Sequence, residues 1–183
     1  MTYPSFSAND VLAASDMNAV GLWLVKTQTI GSAVSSVTVT GAFSSTYDNY
    51  LITVTGGVTS VATAIGVRLG ASAASYYQAG QSLTFLGASV AASQNNVASW
   101  TSVGVGTTDS IMMDFNVYAP NLTKRSFMSA RYIYGATTGG GDMSAYMGYH
   151  NVAAAYTDFT LIPGTGTMTG GTIRVYGYKN GLS

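Results

Sequence analysis

Short stretches in which apolar and polar residues alternate recur along most of this chain, and clusters of Gly, Ser, Asn and Asp separate them. In the run Ser110–Tyr118, the residues Ile111, Met113, Phe115 and Val117 fall on one side of an extended strand. This period of two indicates strands that are buried on one face. Parallel α/β architecture is disfavoured, because it needs crossover helices and the sequence shows no pattern for them.

About eight to ten strands of this kind are expected, which is typical of a sandwich or barrel. The clearest runs are Leu22–Thr27, Ser36–Thr40, Tyr50–Thr55, Ala64–Leu69, Ser110–Tyr118, Ser126–Tyr134, Asp158–Ile162 and Thr172–Tyr178, and the weaker ones are Tyr76–Leu86, Val97–Val103 and Ala145–Tyr149. The predicted fold class is therefore all-β, an antiparallel β-sandwich of jelly-roll-like form with a short N-terminal helical segment.

Two segments of the sequence are predicted to be long loops. Gly87–Thr108 is rich in small residues, and Gly135–Asp142 carries three consecutive glycines.

The run Ser126–Tyr134 differs from the other strands because it carries aromatic residues on both faces. We therefore expect this strand to be covered on both sides.

The first 20 residues have a residue pattern that differs from the strand-like alternation in the rest of the chain. A partial apolar stripe of Val11, Leu12, Met17 and Val20 follows Ser7 and Asp10, a weak capping-box variant. Two interpretations of this stripe are equally supported. The short helix packs on its own domain, or it docks on another protein. We predict a helical anchor segment at 1–20 and a β-sandwich domain at 21–183.

Charge is scarce, which limits the classes of partner. Only 8% of the residues are charged, there is no glutamate, and the formal net charge is zero. Nucleic-acid binding that relies on clustered cations is disfavoured. With 21 Ser, 23 Thr and 22 Gly, the surface is rich in hydroxyls, and neutral surfaces tend to associate. A subunit of an assembly is favoured over a soluble monomer.

Catalytic chemistry finds little support in the residues. The chain has no Cys and one histidine, His150, which is read as a buried or rim residue of an aromatic strand. The acids Asp109, Asp114, Asp142 and Asp158 have no local arrangement that indicates a catalytic pair or a metal site. The prediction is a protein that is not an enzyme, with no cofactor and no metal.

Aromatic residues are the candidate contact residues. Tyrosine combines a flat apolar body with a polar tip, which suits subunit interfaces and stacking on sugar rings. Most of the tyrosines are expected in the core or in contacts between identical chains. The candidates for a glycan or partner contact are Trp100, Tyr76, Tyr77, Tyr146 and Tyr149.

No targeting signal is expected. The N-terminus lacks the basic and apolar regions of a secretory signal, and no run of about 18 apolar residues predicts a membrane helix. We expect synthesis in a host cytoplasm, with no membrane insertion.

Two parts of the chain resemble tailed-bacteriophage virion proteins. Phe6–Leu24 is similar to the N-terminal opening of many of them, and Tyr47–Ile52 with Gly171–Gly177 resembles a β-sandwich module of minor tail, tail-fibre and head-appendage proteins. Leu51 departs from that pattern, in which Arg is common. The resemblance implies a non-enzymatic virion component, a homo-oligomer with a trimer favoured, whose N-terminal segment binds other virion proteins and whose loops contact a host surface glycan.

Three functions therefore remain to be compared. The first is a phage structural protein, either a short tail fibre or tail-tip component or a capsid decoration or head-fibre protein. The second is a carbohydrate-binding module. The third is a hydrolase, which would require two carboxyl groups within about 10 Å in a cleft.

Overall fold

A computed structural model describes residues 21–135 and 140–180, and within them the chain is all-β with no helix. The anchor residues Val11, Leu12, Met17 and Val20 and the predicted helix lie outside the described residues. The strands are β1 (Leu22–Thr29), β2 (Val37–Val39), β3 (Asn49–Thr55), β4 (Val58–Thr59), β5 (Thr63–Leu69), β6 (Tyr76–Thr84), β7 (Ser89–Val97), β8 (Trp100–Gly106), β9 (Ile111–Tyr118), β10 (Ser126–Gly135), β11 (Gly141–His150), β12 (Phe159–Pro163), β13 (Met168–Thr169) and β14 (Thr172–Tyr178).

All pairings between these strands are antiparallel. A larger group has the order β1-β14-β3-β9-β10-β11-β6-β7, and a smaller group has the order β2-β12-β5-β8. Strand β9 joins the two groups, because Met112 and Ile111 at its start pair with Val105 and Gly106 at the end of β8. Strands β4 and β13 form a separate two-stranded sheet.

The buried faces of the two groups share one hydrophobic core. On β9 the residues Ile111, Met113, Phe115 and Val117 are buried, as the alternation predicts. Phe115 contacts Phe159 of β12, edge to face, with ring centroids 6.2 Å apart. Burial of a side chain of this size contributes about 1.5–3 kcal/mol, so the contact between the groups stabilises both.

The segment predicted as one long loop, Gly87–Thr108, instead contains two whole strands, β7 and β8, and β8 overlaps the weaker predicted run Val97–Val103. Its small and polar residues lack the alternation of a half-buried strand, because much of β7 is exposed and β8 is mostly buried. The pairing of β7 with β6 and of β8 with β5 supplies the hydrogen bonds. Together with the short strands β4 and β13, this raises the number of strands above the expected range.

The hairpin between β6 and β7 depends on one glycine. Gly87 has φ +91°, a conformation that L side chains rarely adopt. Its N–H donates to the Thr84 carbonyl (2.9 Å), and the Thr84 N–H donates to the Ala88 carbonyl (2.8 Å). This is the pattern of a tight turn followed by a glycine bulge, so the turn fixes the register of β7 on β6.

The two segments that carry the resemblance to phage proteins lie side by side. Strand β3 pairs with β14, and Tyr50 is opposite Gly177. The ring of Tyr47 lies against Gly177, where any added Cβ would collide with it. Tyr50 is fully buried, and its hydroxyl accepts a hydrogen bond from the Ser44 N–H (2.8 Å). The spacing of Tyr and Gly in the two segments therefore has a packing reason.

Candidate contact surface

Two of the five predicted contact residues lie in the core. Trp100 begins β8 and Tyr76 begins β6, and both side chains are completely buried. Their rings meet edge to face at 5.2 Å, and the Tyr76 hydroxyl accepts a hydrogen bond from the Leu69 N–H (2.7 Å). No surface ligand can stack on either ring, so the placement of Trp100 in an exposed loop is wrong. The reason is that β7 and β8 are strands.

Tyr146 is also buried. It lies on β11, on the side of the larger group that faces the core, and its ring stacks on Tyr132 of β10 with centroids 6.1 Å apart. Burial raises the pKa of the Tyr132 phenol to about 12. Tyr132 therefore stays neutral at physiological pH, and this pair acts as packing between β10 and β11.

The remaining two, Tyr77 and Tyr149, come together on the opposite face of the same strands. They are directly opposite each other on β6 and β11, and their rings stack in parallel with centroids 4.7 Å apart. Phe127 of β10 follows in the same row beside Tyr149, and Tyr118 of β9 follows Phe127. The result is an aromatic row across four neighbouring strands.

A cleft of about 380 Å³ adjoins this row. Tyr77, Tyr149, Phe127 and Met147 contribute to its walls. Gln94 also lines it, and the buried Oε1 of Gln94 has no hydrogen-bond partner among the described residues. Because the two tyrosine rings face each other, Phe127, about half exposed at 49%, offers the most accessible ring surface of the row.

Further apolar side chains extend this face beyond the aromatic row. Register places Met143 between Ile133 and Leu83, while Met147 lies between Ser129 and Ala79. The large apolar side chains of this face are exposed by 45–70%, and Met147 is the most exposed. We define the outer apolar patch as Leu83, Met112, Phe127, Ile133, Met143 and Met147.

Charge on this face is low and balanced. Asp114 of β9 and Arg131 of β10 are opposite each other, near the middle of the patch. On the described strands β6, β9, β10 and β11 they are the charged side chains that face outward, since Asp142 lies on the core side with Ser144. The outer apolar patch is therefore neutral as well as apolar. Sequence reasoning missed the patch itself, although the two-sided pattern of Ser126–Tyr134 was a signal for it.

His150 forms a buried polar contact away from this surface. It is completely buried, and its ring stacks on Tyr76 at 4.1 Å. Nε2 lies 2.8 Å from the Tyr156 hydroxyl, and Nδ1 lies 3.2 Å from the Ser75 carbonyl oxygen. A neutral imidazole satisfies both contacts if Nδ1–H donates to Ser75 and Nε2 accepts from Tyr156. Burial lowers the pKa of His150, which favours this neutral form.

The described residues contain no group of three His, Cys, Asp or Glu side chains that could hold a metal ion. Two of the acids accept hydrogen bonds within the fold: Asp158 from the Gly41 N–H (2.9 Å) and Asp142 from the Ser144 hydroxyl (2.8 Å). Within the same part of the chain, no helix is long and apolar enough to cross a membrane.

Comparison with models of protein families, with curated proteins and with solved structures found no match to this chain.

Proposed function

We propose that this chain is a non-enzymatic structural protein of a tailed-phage particle that works as a homo-oligomer, as a short tail fibre or tail-tip component. The observation that carries the proposal is the outer apolar patch. Contiguous apolar patches on the surface of soluble proteins commonly mark contact sites. A capsid decoration or head-fibre role uses the same surface and differs only in its place on the particle.

The fold that we propose for this role is a two-layer β-sandwich. The shared core between the larger and the smaller strand group supports it, and so does the Phe115–Phe159 contact between them. A jelly roll has two sheets of similar size with eight strands in all. The present order of eight strands against four departs from that form.

The pattern of strand β10 supports assembly. Its aromatic residues on both faces predict cover on both sides. The core covers one face through Met128 and Ala130, whereas Phe127 and Ile133 on the other face are about half exposed in the single chain. A neighbouring subunit would supply the missing cover. The scarcity of charge removes the repulsion that opposes such a contact.

The use of His150 within the fold supports a role other than catalysis. Both ring nitrogens are engaged by Ser75 and Tyr156, and the side chain has no access to solvent. A general base must reach its substrate within hydrogen-bond distance. The chain's single histidine is thus committed to structure.

The test is the mass of the protein in solution by size-exclusion chromatography with light scattering. We expect an oligomer for the wild type and a shift toward monomer for Met147→Lys, since a charge in a dry contact is costly. Val61→Lys is the matched control, because Val61 is also an exposed apolar residue (43%) but lies outside the patch. A wild type that stays monomeric at high concentration overturns the proposal. Electron microscopy of the particle distinguishes tail from head.

Glycan binding is a second candidate function, and the aromatic row beside the 380 Å³ cleft favours it. A sugar ring needs an accessible aromatic face and hydrogen-bond partners, which Phe127 and Gln94 would supply. We expect Phe127→Ala to abolish retention on a glycan array, while Phe85→Ala, an exposed aromatic outside the row, retains it. Lack of binding by the wild type across the array would exclude this function.

A further inference from the structure

The larger and the smaller strand group, joined through β9, leave three edge strands: β1, β2 and β7. Two of these edges have features that block further pairing. Strand β2 has only three residues, and β1 contains Lys26 next to a bulge that follows Leu24. Short edges, lysines and bulges are the means by which natural sheets avoid pairing with other chains. Strand β7 has nine residues with neither charge nor proline.

The regular part of β7 is open to solvent. Ser89 to Ser93 are all exposed, and the ladder with β6 is regular there, because the register shift comes only after Gln94. A long, flat and uncharged edge presents unpaired backbone groups to any compatible strand. The edge of β7 is therefore a pairing surface that residues 21–135 and 140–180 leave unused.

The hairpin shows which backbone groups point outward. Thr84 donates to the Ala88 carbonyl, so this pair is hydrogen-bonded across the ladder. Hydrogen-bonded and non-hydrogen-bonded pairs alternate in an antiparallel ladder. Val90 and Ala92 therefore bond to β6, whereas the N–H and C=O groups of Ser89, Ala91 and Ser93 point to the free edge.

The side chains on this edge favour a second copy of the same strand. Ser89 and Ser93 are equally distant from Ala91 on either side. If two copies pair antiparallel about Ala91, each Ala91 is opposite the other and each Ser89 is opposite a Ser93. About six backbone hydrogen bonds form, and the serine hydroxyls can bond across the strands. A two-fold contact of this kind is self-complementary.

We infer that β7 pairs with β7 of a second copy of this chain, antiparallel about a two-fold axis at Ala91, and so continues the larger group of strands across two subunits. The inference rests on the proposed homo-oligomer and names one of its contacts. The outer apolar patch adjoins this edge, since Leu83 of the patch is opposite Ser89, but a contact through the face buries side chains, whereas the edge contact pairs backbones, so the two contacts add.

Single cysteines test the register directly, because the chain has no cysteine of its own. In the proposed pair the two Ala91 Cα atoms are about 5.5 Å apart, within the range for a disulfide. The two Ser89 Cα atoms are about 13 Å apart, which is too far. Ala91→Cys is the test variant and Ser89→Cys the matched control, since both positions are exposed on the same strand.

Under mild oxidation, we expect the Ala91→Cys protein to form a disulfide-linked dimer more than about tenfold faster than Ser89→Cys, since the paired thiols are held at high effective concentration. The double variant Ser89→Cys with Ser93→Cys should restore rapid cross-linking. Equal rates for the two single variants would refute the edge pairing.

Light scattering of the unmodified protein separates this inference from the proposed function. An oligomeric wild type whose Ala91→Cys variant does not cross-link overturns the edge pairing and leaves the proposed function standing. A wild type that is monomeric at high concentration overturns both.

Discussion

His150 shows how one polar residue can organise several segments. Its ring stacks on Tyr76 of β6, and its nitrogens contact Ser75 and Tyr156, which belong to the segments before β6 and after β11. Tyr156 in turn is linked to the stretch after β9, because its carbonyl accepts from the Asn121 side chain (2.8 Å). In a protonated imidazole the direction of this bond reverses, with Nε2–H donating to the Tyr156 hydroxyl oxygen, and the cost of protonation is that of placing a charge on a completely buried ring.

This arrangement predicts that acid weakens the fold through His150. Burial lowers the pKa of His150 in the folded state below its usual 6.5. The unfolded chain then binds more protons, so the free energy of unfolding falls as the pH drops below about 6.5. Urea unfolding of the wild type between neutral pH and pH 5 should show this loss, and His150→Gln should lack it. Identical pH dependence in both proteins would contradict the assignment.

At the scale of elements, Gln78 connects two strands that do not pair. It lies buried on β6, and its Oε1 accepts from the N–H groups of Thr101 (2.8 Å) and Ser102 (3.4 Å) on β8. Its Nε2 donates to the Thr101 hydroxyl (3.1 Å). The Gln78 side chain thus links the larger strand group to the smaller one by hydrogen bonds. This link is separate from the backbone pairing of β9 with β8, which also joins the two groups.

Replacement of Gln78 should therefore destabilise the contact between the groups. In Gln78→Leu the N–H of Thr101 loses its partner, and a buried unpaired group costs about 1–3 kcal/mol. Chemical denaturation should show a loss of at least this size. Gln81→Leu is the matched control because Gln81 is exposed on the same strand, and its effect should stay within about 0.5 kcal/mol. Equal losses for both variants would show that the contact contributes nothing specific.

For the whole molecule, the decisive property is that one broad face is apolar and nearly uncharged. The outer apolar patch covers strands β6 and β9 to β11, with Asp114 and Arg131 as its charged side chains. Contacts between such faces rely on removal of apolar surface from water rather than on ion pairs. The uncharged edge of β7 continues the same surface.

An apolar interface of this kind predicts how association of the subunits responds to salt. Added NaCl screens ion pairs but leaves apolar contacts intact. The oligomer mass measured by light scattering should therefore stay constant or rise when NaCl increases from about 0.1 M to about 1 M, ionic strengths at which screening lengths are about 10 Å and 3 Å. Dissociation at high salt would contradict an apolar interface and would instead implicate charges such as Arg131.

The sequence determined the all-β antiparallel class and the buried face of strands such as Ile111–Tyr118, because alternation with period two is a local property. It also indicated, through Ser126–Tyr134, that one strand needs cover on both faces. The weaker run Val97–Val103 was a partial signal for the strand Trp100–Gly106, whereas tertiary structure alone decided that Ser89–Val97 is a strand, that Trp100 and Tyr76 are core residues, and that Tyr77 and Tyr149 meet on an open face. These features depend on which strands pair and which faces the core covers, and small, polar segments lack the alternation that would reveal either.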